Sequence, residues 1–316
     1  AEGVEAEFTV DYRIRGATLA LDVRCPGGAA MGTRFGIVRP DAPAVLKTTE
    51  VPYLHMGTPP GPLVAYNDDV FVSAFYDWQN SDFSISLVNP DPNAEDGVSI
   101  NEGSVYTPLT DGKRRDLHDR IIVTVAPEFD QVLPNVPNPR AKHLDAAAER
   151  MYVMNSGPSP ILWRTMKRYG LEHVIAMHFA GVWWRATGEG FSMRHRPRPD
   201  MTAEELAAYH DEVRALGYDF GVLLEYRDFF PLNEWWDPDL LSLTSEGQWS
   251  PSWSGHYGTK PNAMPMLAER NAALIEERYP LDAVYMDTHT NQPLTARDYE
   301  AGVPGAGSGP AQAIFN

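Results

Sequence analysis

The chain has 316 residues and a mass of 35.2 kDa, room for two ordinary domains or one large barrel. A net charge of −17 and a pI of about 4.9 argue against nucleic-acid or anionic-membrane partners, because phosphate contacts need clustered Lys and Arg. The lone cysteine, Cys25, excludes an internal disulfide and a Cys-rich metal site.

From the N-terminus to about residue 125 the pattern is β. Residues 8–14, 18–23 and 34–38 alternate apolar and polar positions, and Gly/Pro clusters at 26–28 and 58–62 separate short runs. Residues 70–76, 83–88 and 121–125 extend the series. Many short strands with turn signals between them predict a β-sandwich over residues 1–131. Cys25 falls at a strand end and reads as a small buried hydrophobe. Residues 132–145 hold Pro134, Pro137 and Pro139 and read as a connector between domains.

From residue 146 the rhythm becomes strand and helix in alternation. Residues 149–155 predict a first strand, and residues 160–169 a helix with Pro160 at its first position. Residues 173–179 predict a second strand. Residues 202–216 predict a helix, with Thr202 and Glu205 as a capping box and Gly217 at its end. Residues 220–226 form a third strand, 265–279 a third helix and 283–287 a fourth strand. Repeated βα units imply a parallel sheet, here the first half of a (β/α)8 barrel over residues 146–316. Four strands are half a barrel, so the chain is either a piece of a longer parent with the C-terminal half of the barrel, the favoured reading, or a smaller doubly wound sheet. The absence of an initiator Met at Ala1 points to processing or trimming, and the export signal is not visible; a secreted or periplasmic location is the weakly favoured reading.

Asp287 ends the fourth strand and precedes a loop rich in Thr, His and Asn. Barrels place catalytic carboxylates at such strand ends, and glycosidases use one as nucleophile or base. The alternative is an Asp that caps the next turn. At the end of the third strand, alternation sets Tyr226 and Asp228 on one face and Glu225 and Arg227 on the other, so one pair faces the mouth. His178 ends the second strand, where it either contacts a sugar hydroxyl or serves the core. The loops 180–201 and 227–263 carry Trp183, Trp184, Trp235, Trp236, Trp249 and Trp253, and long aromatic loops are seldom mere connectors. His178, His195, His256 and His289 lack ligand spacing, and no GxSxG, P-loop or GxGxxG after a strand occurs. No metal and no cofactor is therefore expected.

Residues 284–287, the tryptophan loops and the leading β region together resemble a glycoside hydrolase. The resemblance is to the endo- and exo-α-N-acetylgalactosaminidases (glycoside hydrolase families 101 and 129) and the α-galactosidase clan, with residues 51–57 and 71–78 similar to sandwich segments of those enzymes. It implies a β-sandwich before a TIM barrel, and a retaining glycosidase cleaving an α-linked galactose or N-acetylgalactosamine-type sugar. It also implies that Asp287 is the nucleophile, matching an Asp at the end of the fourth barrel strand. Tyr226, Asp228, His289 and His178 would then bind hydroxyls, and Trp183, Trp235 or Trp236 would stack on the sugar. The acid/base in such enzymes comes from a later strand; Asp298 and Glu300 are the acids that follow Asp287 here. Two other readings stand beside it: a non-catalytic carbohydrate-binding protein using the same aromatic loops, and a metal-assisted hydrolase.

Overall fold

The computed structural model describes residues 5–39, 46–51, 63–87, 97–101, 103–134, 139–155, 157–179, 182, 195–289 and 297–315. The chain divides into two compact units, the first made of residues 1–136, 242–248 and 291–316 and the second of 137–241 and 249–290.

In the first unit the strands are β1 (Thr9–Arg15), β2 (Thr18–Cys25), β3 (Ile37–Val38), β4 (Lys47–Glu50), β5 (Leu63–Tyr66), β6 (Phe71–Tyr76), β7 (Ile85–Leu87), β8 (Val98–Ser99), β9 (Gly103–Val105) and β10 (Leu117–Ala126). Six of them form an antiparallel sheet in the order β1-β2-β10-β6-β5-β4, while β3 pairs with β8 and β7 with β9. The ten-residue β10 is the spine, lying between β2 and β6. Its odd positions Leu117, Asp119 and Ile121 turn inward, as a period of two requires. Cys25 is buried with Phe83, Tyr106 and Leu117, so its sulfur is core material. Asp119 is fully buried among hydroxyls: Thr33 and Ser104 donate to one oxygen at 2.8 and 2.6 Å, and Tyr106 to the other at 2.8 Å. Burial pushes its carboxyl above the usual range, with these donors pulling the other way.

In the second unit α1 (Leu144–Ala148) precedes β11 (Met151–Asn155), followed by α2 (Pro160–Arg168), β12 (Val174–His178), α3 (Ala203–Ala215) and β13 (Asp219–Leu224). A short antiparallel pair of β14 (Asp228–Phe229) and β15 (Tyr257–Gly258), joined by a long loop, comes next, then α4 (Met264–Glu276) and β16 (Ala283–Met286). The four long-range strands pair in parallel in the order β11-β12-β13-β16. Among the described residues this sheet does not close into a barrel. The helices start where sequence chemistry says they should. Thr202 accepts from Glu205 N–H at 3.1 Å while Glu205 returns a bond to Thr202 N–H at 2.7 Å. Gly217, at φ 81°, then provides the left-handed turn after α3. The inner strands β12 and β13 are buried on both faces and read as continuous apolar runs. By contrast, the outer strands leave Met151, Tyr152, Met154, Val284, Tyr285 and Met286 exposed.

Residues 242–248 and 291–316, expected in the barrel half, group instead with the first unit. The reason is hydrogen bonding. Asp298 is fully buried and accepts Leu243 N–H at 2.8 Å, Tyr299 N–H reaches Leu243 O at 3.0 Å, and Thr110 N–H reaches Tyr299 O at 2.9 Å. The final helix α5 (Gly309–Ala313) adds a bond from Gly309 N–H to Phe83 O at 3.0 Å.

Candidate active site

Parallel strands leave their C-terminal ends side by side, and in this sheet that edge carries His178, the turn after β13 and Asp287. Each can be placed.

His178 ends β12 but does not reach solvent. It is fully buried, stacked on Phe220 with ring centroids 4.5 Å apart. Nδ1 lies 2.9 Å from Gly221 O, a pure acceptor, so Nδ1 carries the proton and Nε2 accepts from Tyr209 OH at 2.8 Å. The Tyr209 hydroxyl in turn accepts from Trp163 Nε1–H at 2.5 Å and Ser159 N–H at 3.2 Å. Every polar atom is satisfied internally. The expected sugar contact by His178 is thereby corrected to the structural alternative. Tyr209→Phe deletes the shared hydroxyl and strands three buried groups, which costs about 1–3 kcal/mol for each. A fall in the urea midpoint of about 1 M or more with unchanged slope is the expected result. Burial holds the His178 pKa down to about 4. A depressed histidine contributes stability that is complete above the unfolded value near 6.5 and is lost as pH falls toward 4. The expected loss is on the order of 3 kcal/mol across that window, visible in denaturant midpoints of wild type against His178→Gln.

Strand β13 stops at Leu224, and the side chain of Glu225 ends it. Its Oε1 accepts the backbone N–H groups of Arg227 and Asp228, the latter at 2.9 Å, and folds the chain into a tight turn. The turn breaks the period of two. Tyr226 therefore goes inward: it is buried, its hydroxyl donates to Asn271 Oδ1 on α4 at 3.1 Å, and its N–H donates to His289 Nε2 at 3.2 Å. Neither Tyr226 nor His289, itself buried, is a hydroxyl-binding group at a surface; both hold the two loops together. Arg227 and Asp228 take the outward positions instead.

Asp287 lies one residue past β16, its N–H extending the ladder to Leu224 O at 3.1 Å. It is half-buried. Burial raises its pKa, the Asp228 charge adds to the rise, and the Thr288 N–H and the Arg227 guanidinium oppose it. Arg227 Nη1 donates to Thr288 O at 3.1 Å, and the carboxylates of Asp228, Glu225 and Asp287 all bear on this one cation. Ser252 Oγ donates to Asp228. Thr288 has φ 63°, a left-handed conformation rare for a β-branched residue. That geometry lets its amide turn back onto the Asp287 carboxylate. The result is a partly desolvated carboxylate, one strand from a second, with one guanidinium whose charge bears on both.

The aromatic loop divides into two kinds of residue. Trp235 is buried, stacked on His195 at 5.6 Å with Arg270 4.1 Å over its ring, so it is packing and not an open platform. Trp236 is half-buried among Phe229, Trp249 and Tyr257, at 5.3, 6.1 and 5.8 Å. Trp249 and Trp253 are the exposed rings, at 44% and 56%. Nothing in the sequence separated them from Trp235, because irregular loops carry no periodicity. Trp183 lies outside the described residues. Asp298 is locked in the first unit by backbone bonds and is not an acid available for catalysis, and Glu300 sits in the same segment. Among the described residues no group of three or more His, Cys, Asp or Glu has metal-binding geometry.

No protein-family model and no curated protein sequence matches the chain. Solved structures do match in fold. The α-N-acetylgalactosaminidase NagBb from Bifidobacterium bifidum, as a quadruple mutant, superposes with a TM-score of 0.63 at 13% identity over 98% of this chain and 66% of that one. A GH36 α-galactosidase, AgaA from Geobacillus stearothermophilus in complex with stachyose, gives 0.54 at 11% identity, over 98% of this chain and 51% of that one. The galactosidase domain of the α-galactosidase–sucrose kinase AgaSK gives 0.53 at 10% identity, over 100% and 50%. The chain thus resembles α-galactosidases and α-N-acetylgalactosaminidases in fold, as the sequence reading expected, and spans between half and two thirds of their length.

Proposed function

We propose that this chain is the sandwich and leading barrel half of a retaining glycosidase acting on an α-linked galactose or N-acetylgalactosamine-type sugar. The observation that carries the reading is Asp287. It is a half-buried carboxylate at the C-terminal end of a parallel strand, braced by a backbone amide and a guanidinium, in a fold like that of glycosidases. In the proposed first step the Asp287 carboxylate forms a bond to the anomeric carbon as the glycosidic C–O bond breaks. The leaving oxygen takes a proton from a general acid, and water later releases the sugar with retention. In this reading Arg227 favours the anionic form of the nucleophile, and Asp228 accepts hydrogen bonds from sugar hydroxyls. The exposed faces of Trp249 and Trp253 provide stacking surface for the rest of the glycan. In this reading the outer edges of β11 and β16 pair with the remaining barrel strands.

Treatment of the longer parent that completes the barrel with a 2-deoxy-2-fluoro-galactosyl fluoride, followed by peptide mass spectrometry, tests the assignment. A covalent fluorosugar on Asp287 is expected; an adduct on another carboxylate overturns it. The exposed Trp249 and Trp253 favour one second reading, a carbohydrate-binding protein without turnover. That protein would bind galactosides, take up no label, and keep its affinity in Asp287→Asn.

A further inference from the structure

The first unit's sheet ends at β1, and among the described residues no strand pairs with its outer edge. Thr9, Asp11, Arg13 and Arg15 face one way; Val10, Tyr12 and Ile14 face the other, continuing from Phe8. On that second face Cys25, Leu117 and Ile121 of the neighbouring strands are buried, yet Phe8, Val10, Tyr12 and Ile14 are 51–72% exposed. The apolar face therefore runs past the core onto an uncovered seven-residue strand with no Pro. Natural edges are normally short, bulged or guarded by inward charge, so an edge of this kind is built to be paired or is an aggregation hazard.

The strand's sequence states what fits it. A two-residue turn, with Gly16 at φ 58°, joins β1 to β2 and makes Arg15 and Thr18 the closing pair. Hydrogen-bonded pairs alternate along an antiparallel ladder, so the odd residues direct their backbone groups at β2. Val10, Tyr12 and Ile14 direct theirs outward. We propose that β1 pairs antiparallel with β1 of a second copy of this chain, about a two-fold axis at Tyr12. In that register Tyr12 meets Tyr12, Val10 meets Ile14, Asp11 meets Arg13 and Thr9 meets Arg15, and the outward backbone groups of residues 10, 12 and 14 bond across the axis. Centring on Asp11 or Arg13 keeps the backbone bonds but sets like charges directly opposite each other on the axis. Asp11 already holds Arg24 at 2.9 Å, whereas Arg13 and Arg15 have no ion pair among the described residues. The cross-axis contact gives Arg13 one. Opposite charges directly across a ladder are favourable and like charges are not.

Sedimentation equilibrium on the whole chain reads the mass. The expected result is twice 35.2 kDa for the native chain and 35.2 kDa for Tyr12→Glu, which sets two carboxylates against each other on the axis. Asp11→Arg should also sediment as a single chain, and adding Arg13→Asp should restore the doubled mass. Both positions are exposed, and an unchanged circular dichroism spectrum separates dissociation from unfolding. A native chain of single mass overturns the proposal, as does a Tyr12→Glu variant that keeps the doubled mass. A charge-swapped pair that remains single overturns the register. None of these outcomes depends on the proposed chemistry at Asp287.

Discussion

In the longer parent that completes the barrel, Asp287→Asn is expected to lower turnover of an aryl α-galactoside or α-N-acetylgalactosaminide by about 10⁴-fold or more, with sugar affinity nearly unchanged. The substitution keeps shape and the Thr288 hydrogen bond while removing the electron pair that attacks. The same residue sets the acid limb of the pH profile. A nucleophile works as the carboxylate, so kcat/KM falls as pH drops through its pKa. Burial and the Asp228 charge hold that pKa above the ordinary 3.8, and the limb should lie above 3.8 accordingly. Activity surviving in the Asn variant, or an acid limb at the position of an unperturbed aspartate, would remove Asp287 from the nucleophile's role.

Arg227→Met should be strongly destabilising. The guanidinium is the shared counter-charge of Glu225, Asp228 and Asp287, and Glu225 is almost wholly buried. Breaking one side of a buried ion cluster leaves the other charges uncompensated and costs on the order of 3 kcal/mol. For a chain of this size that is a Tm drop of roughly 5 °C by calorimetry. The carboxylates left behind also protonate more readily, so any acid limb moves to higher pH. Arg227→Lys keeps the charge but loses the planar fork and should recover only part of both effects. A Met variant with native Tm would mean that water, not Arg227, balances the carboxylates.

The strand-and-helix order of the second unit was legible because it rests on strong local signals. Thr202 and Glu205 cap α3 as their spacing requires, Pro160 opens α2, and the apolar runs before His178 and Asp287 are strands. The position of Asp287, one residue past β16, was legible for the same reason: the apolar run before it is a strand. The roles of its neighbours were not. Assigning Tyr226 and Asp228 to one face assumed that β13 continues through residue 226, and Glu225 ends it at 224 by capping its own turn. The short strands β4, β5, β8 and β9 escaped notice because two to four residues carry no measurable alternation. Nor could local pattern reveal that residues 297–315 belong with the first unit, since that choice is made by Asp298 meeting a backbone amide 55 positions away. Trp235 and Trp249 look alike in sequence; Arg270, projecting from α4, is what separates a packed ring from an open one.

Thr288 holds two properties in opposition. Its left-handed backbone costs on the order of 1–3 kcal/mol for a β-branched residue, and the same backbone turns its amide onto Asp287. Glycine adopts that conformation without strain but also leaves it freely. Thr288→Gly should therefore raise thermal tolerance while loosening the nucleophile's support. Variants selected for heat resistance alone would drift toward glycine at 288 and lose turnover as they did so; selection for turnover would retain the strained threonine.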